Sequence, residues 1–157
     1  MPDQDVRLQH LKLWLDEQLP ALFAAQGWGA IPPATLTAAS SDARFRRYFR
    51  WEGGQQTFIV MDAPPPQENC KPFVDIARLL KKSGINVPQI YAEDLERGFL
   101  LLNDLGRKTY LDVIDAENAD QLFADAFDAL LAYQQLPMDA PLPSYDVALL
   151  RRELELF

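Results

Sequence analysis

The sequence predicts an α+β fold: an antiparallel sheet of about five strands with one inserted helix, followed by a run of further helices. Three features carry that reading. Leu8, Leu11, Leu15 and Leu19, joined by Trp14, repeat at helical spacing ahead of the first strand. Three segments of strand character then follow one another closely, Thr35 to Ala39, Arg44 to Trp51 and Thr57 to Met61. Beyond Gly106 the apolar pattern returns to a helical period.

Taken in order, the first helix runs from Asp5 to about Leu19, and Pro20 either ends it or opens a second short helix through Leu22-Phe23. Gly27-Trp28-Gly29 and Pro32-Pro33 mark a loop, and Gly53-Gly54 is a hairpin-type turn between the second and third strands. Pro64-Pro65-Pro66 predicts an extended linker. Pro72 then suits a helix start, Phe73, Ile76, Ala77 and Leu80 define that helix's apolar face, and Gly84 stops it. Val87 to Tyr91 reads as a short extended segment, and Gly98 precedes the apolar strand Phe99 to Leu102. Helices are expected over Thr109 to Ile114 and Asp120 to Leu136, the latter with Leu122, Phe123, Ala126, Phe127, Leu130 and Leu131 as a packing stripe. A last helix begins with Ser144 as N-cap and is still periodic at Phe157, so the chain is expected to be the first portion of a longer protein.

With 157 residues, 48% of them hydrophobic, the chain is long enough to bury a core. Its longest apolar runs are too short for a bilayer, and the N-terminus is acidic where a signal peptide is basic, so a cytoplasmic protein without a membrane partner is expected. Cys70 is the single cysteine, which excludes an internal disulfide and a thiolate zinc site, and no metal site is predicted. A formal net charge of -8 disfavours nucleic acid as a partner. An RNA-binding strand of arginines and aromatics would require salt-sensitive affinity that the acidity argues against.

Against that acidity, four arginines fall within seven residues, Arg44 to Arg50. At the two-residue period of a strand, Arg44, Arg46, Tyr48 and Arg50 share one face, and Phe45, Phe49 and Trp51 share the other with Arg47 as the exception. The small polar loop Ser40-Ser41-Asp42-Ala43 leading into this strand suits phosphate, because backbone N–H groups and guanidinium forks both fit its oxygens; a solvated strand with long charged side chains accounts for the segment equally well. Two further polar positions stand where strands end, Asp62 and Asn103-Asp104, and side-by-side strands would place all three along one edge. The backbone of Asn103 to Leu105 would be free to offer alternating C=O and N–H groups to a flat heterocycle.

The order of these elements resembles the N-terminal lobe of protein-kinase-like folds, followed by the first helices of an incomplete helical C-terminal lobe. In detail the chain is similar to the aminoglycoside phosphotransferase and choline kinase group. Residues 41–50, Ile59 to Pro65, Pro72-Phe73, Val87 to Tyr91 and Leu101 to Gly106 most resemble bacterial anomeric amino-sugar kinases, which phosphorylate N-acetylmuramate and N-acetylglucosamine in cell-wall recycling. The resemblance implies four regions: an N-terminal helical segment (1–34), a nucleotide-binding lobe (35–102), a hinge (103–108) and the start of a helical substrate and catalytic lobe (109–157). It implies ATP and Mg2+ as cofactors, and ATP, an amino sugar and the remaining C-terminal lobe as partners. Ser40, Ser41, Asp42, Ala43 and Arg44 would form the phosphate loop, while Asn103, Asp104 and Leu105 would hold adenine through the main chain.

Two departures from the family pattern stand out. Met61 occupies the position where relatives carry a phosphate-clamping lysine, and Arg46, with Arg44 or Arg50 in reserve, would take over that contact. Glu68 and Asp75 flank the place of the helix carboxylate, and a solvated charge is the simpler role for each. No His-x-Asp-x-x-x-x-Asn loop is present. The single histidine, His10, is followed by Leu11-Lys12 on the first helix, so no catalytic residue is assigned to this chain and the catalytic loop would follow Phe157. The competing expectation is a stand-alone nucleotide-binding or protein-interaction module that docks a partner through Leu149, Leu150, Leu154 and Phe157.

Overall fold

The computed structural model describes residues 5–40, 45–136 and 144–155. Helix α1 spans Val6–Gln26, its N-terminus capped by the Asp5 carboxylate, which accepts from the Leu8 amide at 2.9 Å. Pro20 neither ends nor divides it. Leu15, Leu19 and Phe23 fall at four-residue intervals on one buried stripe that crosses the proline, while Pro20 itself faces solvent. An internal proline costs about 3 kcal/mol. Burying Leu19 and Phe23 contributes roughly 1.5–3 kcal/mol each, so packing outweighs the local penalty. Gly27, at φ 68°, closes the helix in the left-handed conformation, with the Trp28 amide bonded back to the Phe23 carbonyl.

Five strands form one antiparallel sheet in the order β1-β2-β3-β5-β4: β1 Ala34–Ser40, β2 Arg47–Gly53, β3 Gln56–Asp62, β4 Ile90–Asp94 and β5 Phe99–Asn103. The second strand begins at Arg47, later than the expected Arg44. The pleat divides the core in two. Trp51, Phe58, Val60, Phe99 and Leu101 pack on α1 against Leu11, Trp14, Leu15, Leu19 and Phe23. Met61, Leu100 and Leu102 point the other way, toward Cys70 and Val74. Covered on both faces, β5 reads in sequence as an unbroken apolar run.

Helix α2, Lys71–Lys82, begins at its proline as expected and buries Val74, Ala77 and Leu80, whereas Ile76 lies outside the buried face. The three prolines before it do not extend the chain. Residues 65–67 turn, and the Glu68 amide bonds to the Pro64 carbonyl at 3.0 Å. Helices α3 (Tyr110–Val113), α4 (Ala119–Gln134) and α5 (Val147–Leu154) bury no residue. The α4 stripe is therefore open: Phe123, Phe127, Leu130 and Leu131 are 54–60% exposed, because nothing among the described residues covers them. Helix α5 is capped by Asp146, whose side chain accepts from the Leu149 amide, instead of by Ser144. No helix among the described residues is long and apolar enough to cross a membrane.

Asp62 ends β3 on the α1 face, fully buried. Arg7 of α1 donates to its Oδ1 at 2.6 Å, and Arg47 of β2 donates to Oδ2 through Nε at 2.9 Å and Nη2 at 2.5 Å. Arg47 also reaches Asp5, and Arg7 stacks over the Phe99 ring at 4.9 Å. This explains the one arginine that breaks the apolar alternation of β2: it neutralises a buried carboxylate and ties α1 to the sheet. It also removes Asp62 from the set of chemical candidates. Replacing Asp62 with alanine leaves two guanidinium groups without their shared acceptor, and urea unfolding is expected to show a loss of roughly 3 kcal/mol.

Gly98, in the β4–β5 connection, has φ +74°, and its carbonyl accepts from the Ala63 amide at 2.8 Å. A Cβ there would lie 1.9 Å from the Ala63 carbonyl oxygen, so backbone would have to move. Gly98→Ala is expected to lower the melting temperature by more than an ordinary surface substitution, as measured by thermal unfolding.

Candidate functional site

Antiparallel alternation decides which polar segments meet. Asn103 pairs with Phe58, and Phe58 with Trp51, whereas Asp62 pairs with Arg47, and Ser40 with Tyr48. The three polar positions therefore do not share one edge. Ser40 and Asp62 lie at one end of the sheet and Asn103-Asp104 at the other. Four residues of β3 separate the two levels, about 14 Å at the rise of a strand. Ser40 closes β1, and Ser41, Asp42, Ala43 and Arg44 lie outside the described residues.

The sheet face away from α1 carries the remaining arginines. Arg50, Ile59 and Leu102 form one cross-strand row, and Asp104 follows two residues beyond Leu102. Arg50 spans that distance: its Nε donates to Asp104 Oδ2 at 2.6 Å, and its Nη2 donates to Asp104 Oδ1 and to the Gly106 carbonyl, both at 3.0 Å. Asp104 Oδ1 also accepts from the Gly106 amide at 2.9 Å. Both partners of this pair are almost completely buried. The expectation that Arg50 stands in reserve for phosphate is thus corrected, since its donors are committed to the hinge. The sequence carries no local signal for this pairing, because the alignment of Arg50 with Leu102 comes from the strand register.

Arg46 precedes β2 and donates to Glu68 Oε2 through Nε at 3.2 Å and Nη2 at 2.7 Å. Glu68 is not the solvated charge expected of it; the turn at 65–67 brings it in front of α2, against Arg46. Burial works against the charge on Arg46, but Glu68 and Tyr48 outweigh it and raise the arginine's pKa. Asp75 pairs with Lys71 one helical turn away, both more than half exposed, which keeps it a surface charge. Met61 is fully buried between Tyr48 and Leu100 on its neighbouring strands, on the face where Arg46 meets Glu68 and lies close to Tyr48 and Cys70. Burial pushes the Cys70 thiol up, which removes it as a nucleophile.

Between the arginine row and the hinge lies a cleft of about 220 Å3, bordered by Tyr48, Ile59, Phe73, Leu102 and the segment from Asn103 to Gly106. Its lining is mostly apolar. The Asn103 amide donates to the Gln89 carbonyl at 3.0 Å and its side chain accepts from the Gln89 amide, which fixes the start of the hinge. Leu105, 60% exposed, has no hydrogen-bond partner for its N–H or C=O among the described residues. An apolar slot with an unpaired main-chain donor and acceptor at its edge can take a flat heterocycle edge-on. No group of three or more metal-ligating side chains assembles among the described residues.

Arg50, assisted by the Gly106 amide, holds the Asp104 carboxyl below the ordinary carboxylate range despite partial burial. The clamp's contribution is therefore complete above the ordinary Asp value of 3.8 and is lost as pH falls through the depressed value. A carboxyl-carbon NMR titration is expected to place Asp104 below 3.8 in the native chain. Arg50→Gln should return it toward the ordinary range.

Comparison with known proteins adds to this geometry. A kinase named N-acetylmuramate/N-acetylglucosamine kinase from Pseudomonas putida is 68% identical over 157 residues, all of this chain and 46% of the relative. The protein of the same name from Pseudomonas aeruginosa is 61% identical over 153 residues, covering 98% of this chain and 45% of the relative. A third, from Neisseria meningitidis, is 36% identical over 127 residues. The chain thus spans just under half the length of the curated relatives it matches. The profile of the phosphotransferase enzyme family matches residues 35–156, from the first strand through α5, and the chain belongs to the phosphotransferase enzyme family.

Proposed function

We propose that this chain is the nucleotide-binding part of an ATP-dependent kinase that phosphorylates N-acetylmuramate and N-acetylglucosamine at the anomeric hydroxyl, in the recycling of cell-wall sugars. The observation that carries the nucleotide reading is the apolar cleft edged by the unpaired main chain of Leu105. The substrate reading rests on the 68% and 61% identical relatives. Residues 1–34 would brace the sheet, 35–102 would hold the nucleotide, 103–108 would act as hinge, and 109–157 would begin the lobe that receives the sugar.

Adenine would lie on the paired side chains of Ile59 and Leu102, with the Asn103 C=O and the Leu105 N–H as acceptor and donor and Asp104 shaping the bend between them. From there the phosphates would run along β3 toward the end of the sheet where Ser40 pairs with Tyr48, and Ser41 to Arg44 would complete the contact. Arg46 supplies the cation that Met61 cannot, and Glu68 orients it. Bound MgATP would supply the transferable phosphoryl group and the divalent charge that neutralises it. The sequence contains no His-x-Asp-x-x-x-x-Asn loop and assigns no residue of its own to hydroxyl activation or to Mg2+. Transfer is therefore expected to require partners outside these residues, and the cytoplasm is where the ATP and the recycled sugars would meet it.

Two measurements test the reading. The intact protein should convert N-acetylmuramate or N-acetylglucosamine to its 1-phosphate in the presence of MgATP, whereas residues 1–157 alone should bind nucleotide without turnover; sugar phosphorylation by 1–157 would overturn the assignment of catalysis elsewhere. Arg46→Ala should weaken MgATP binding by roughly tenfold or more, the loss of one charge-assisted phosphate contact. Glu68→Gln should cost less, because it releases the arginine without removing it. Unchanged affinity in Arg46→Ala would reject Arg46 as the replacement for the missing lysine.

A further inference from the structure

We infer that Arg50 is a positioning residue for the nucleobase, a side chain that sets the shape of the hinge without itself binding the nucleotide. This rests on the proposed nucleotide reading of the cleft and extends it. Asp104, Leu105 and Gly106 form a three-residue arch whose two ends are fixed by the same guanidinium. Asp104 is held through both carboxylate oxygens, and Gly106 through its carbonyl. The Asp104 carboxylate closes the loop by accepting from the Gly106 amide. Leu105, the middle residue, has no hydrogen-bond partner for its main-chain N–H or C=O among the described residues.

The consequence is energetic. Gly106 adopts φ +101°, a conformation open to few residues other than glycine, and a free chain leaving β5 would sample many alternatives. A hinge that must be ordered by its ligand binds more weakly than one ordered beforehand. Arg50 supplies that order from a strand interior, where its side chain is itself almost completely buried, and the planar fork fits two acceptors at once. Lysine at the same place would keep the charge and lose the fork.

The effect should be confined to the base end of the nucleotide, which separates it from a general loss of stability. Calorimetric titration of the intact protein with MgATP and, separately, with magnesium tripolyphosphate gives the two readouts. Arg50→Gln is expected to weaken MgATP binding by about tenfold and to leave tripolyphosphate binding within about twofold of the unsubstituted protein. Arg50→Lys should recover most of the melting temperature but not the ATP affinity. Asp104→Asn, which breaks the clamp from the other side, should repeat the ATP-selective loss and serves where Arg50→Gln fails to fold. Equal losses for both ligands, or unchanged ATP affinity in a folded Arg50→Gln protein, would overturn the positioning role. Absence of MgATP binding in the unsubstituted protein would instead refute the nucleotide reading on which it rests.

Discussion

The structure depends on the pleat of β2, which sends successive long cations to opposite faces of one sheet. Each guanidinium that enters the interior needs a carboxylate, because an unpaired charge in a low-dielectric setting is far costlier than an unpaired charge in water. Arg47 meets Asp62 and Asp5 on the α1 face, Arg50 meets Asp104 on the cleft face, and Arg46, just ahead of the strand, meets Glu68. These pairs connect β2 to the N-terminal helix, to the hinge and to the segment before α2. A strand that looks in sequence like a basic patch is therefore the point from which three separate parts of the molecule are aligned.

That arrangement accounts for the charge pattern without recourse to a large anionic partner. Of the arginines described in the cluster, two are committed to structural work: Arg47 by a fully buried carboxylate and Arg50 by the hinge. Arg46 is different in kind. Its carboxylate partner, Glu68, keeps 22% of its side-chain surface exposed on the face that carries the cleft, whereas Asp62 and Asp104 keep 0% and 6%. A cation held by one acceptor and still reached by solvent can exchange or share that acceptor with phosphate, whereas one locked in a bidentate buried pair cannot. Arg46 is thus the described arginine of the cluster without a fully or almost fully buried carboxylate partner.

Much of the architecture was legible in the sequence because it rests on period and punctuation. The apolar stripe of α1, the alternation of β2, the glycine turn at 53–54 and the continuous run of β5 each specify their element by local pattern. What escaped was set by distant partners. Pro20 argues locally for a break, and only the burial of Leu19 and Phe23 on a common stripe overrides it. Three prolines argue for extension, yet the turn they make delivers Glu68 to Arg46. Asp62 stands at a strand end like a catalytic residue, and its role became clear only with Arg7 arriving from a helix 55 positions away. The strand register is what brings Arg50 to Asp104 and Gly106, and no local pattern around either residue announces it. Met61 shows a limit of another sort: its position is legible, and its meaning depends on which neighbour supplies the missing charge.

The central claim is that the main chain of Leu105 reads a nucleobase in the cleft of this phosphotransferase family member. The most direct measurement is the amide NMR spectrum of isotopically labelled protein titrated with MgATP. The account predicts that the Leu105 amide shows the largest downfield displacement, that Ile59 and Leu102 shift with it, and that α1 is unmoved. Saturable shifts that leave Leu105 unchanged and cluster on another surface would contradict it.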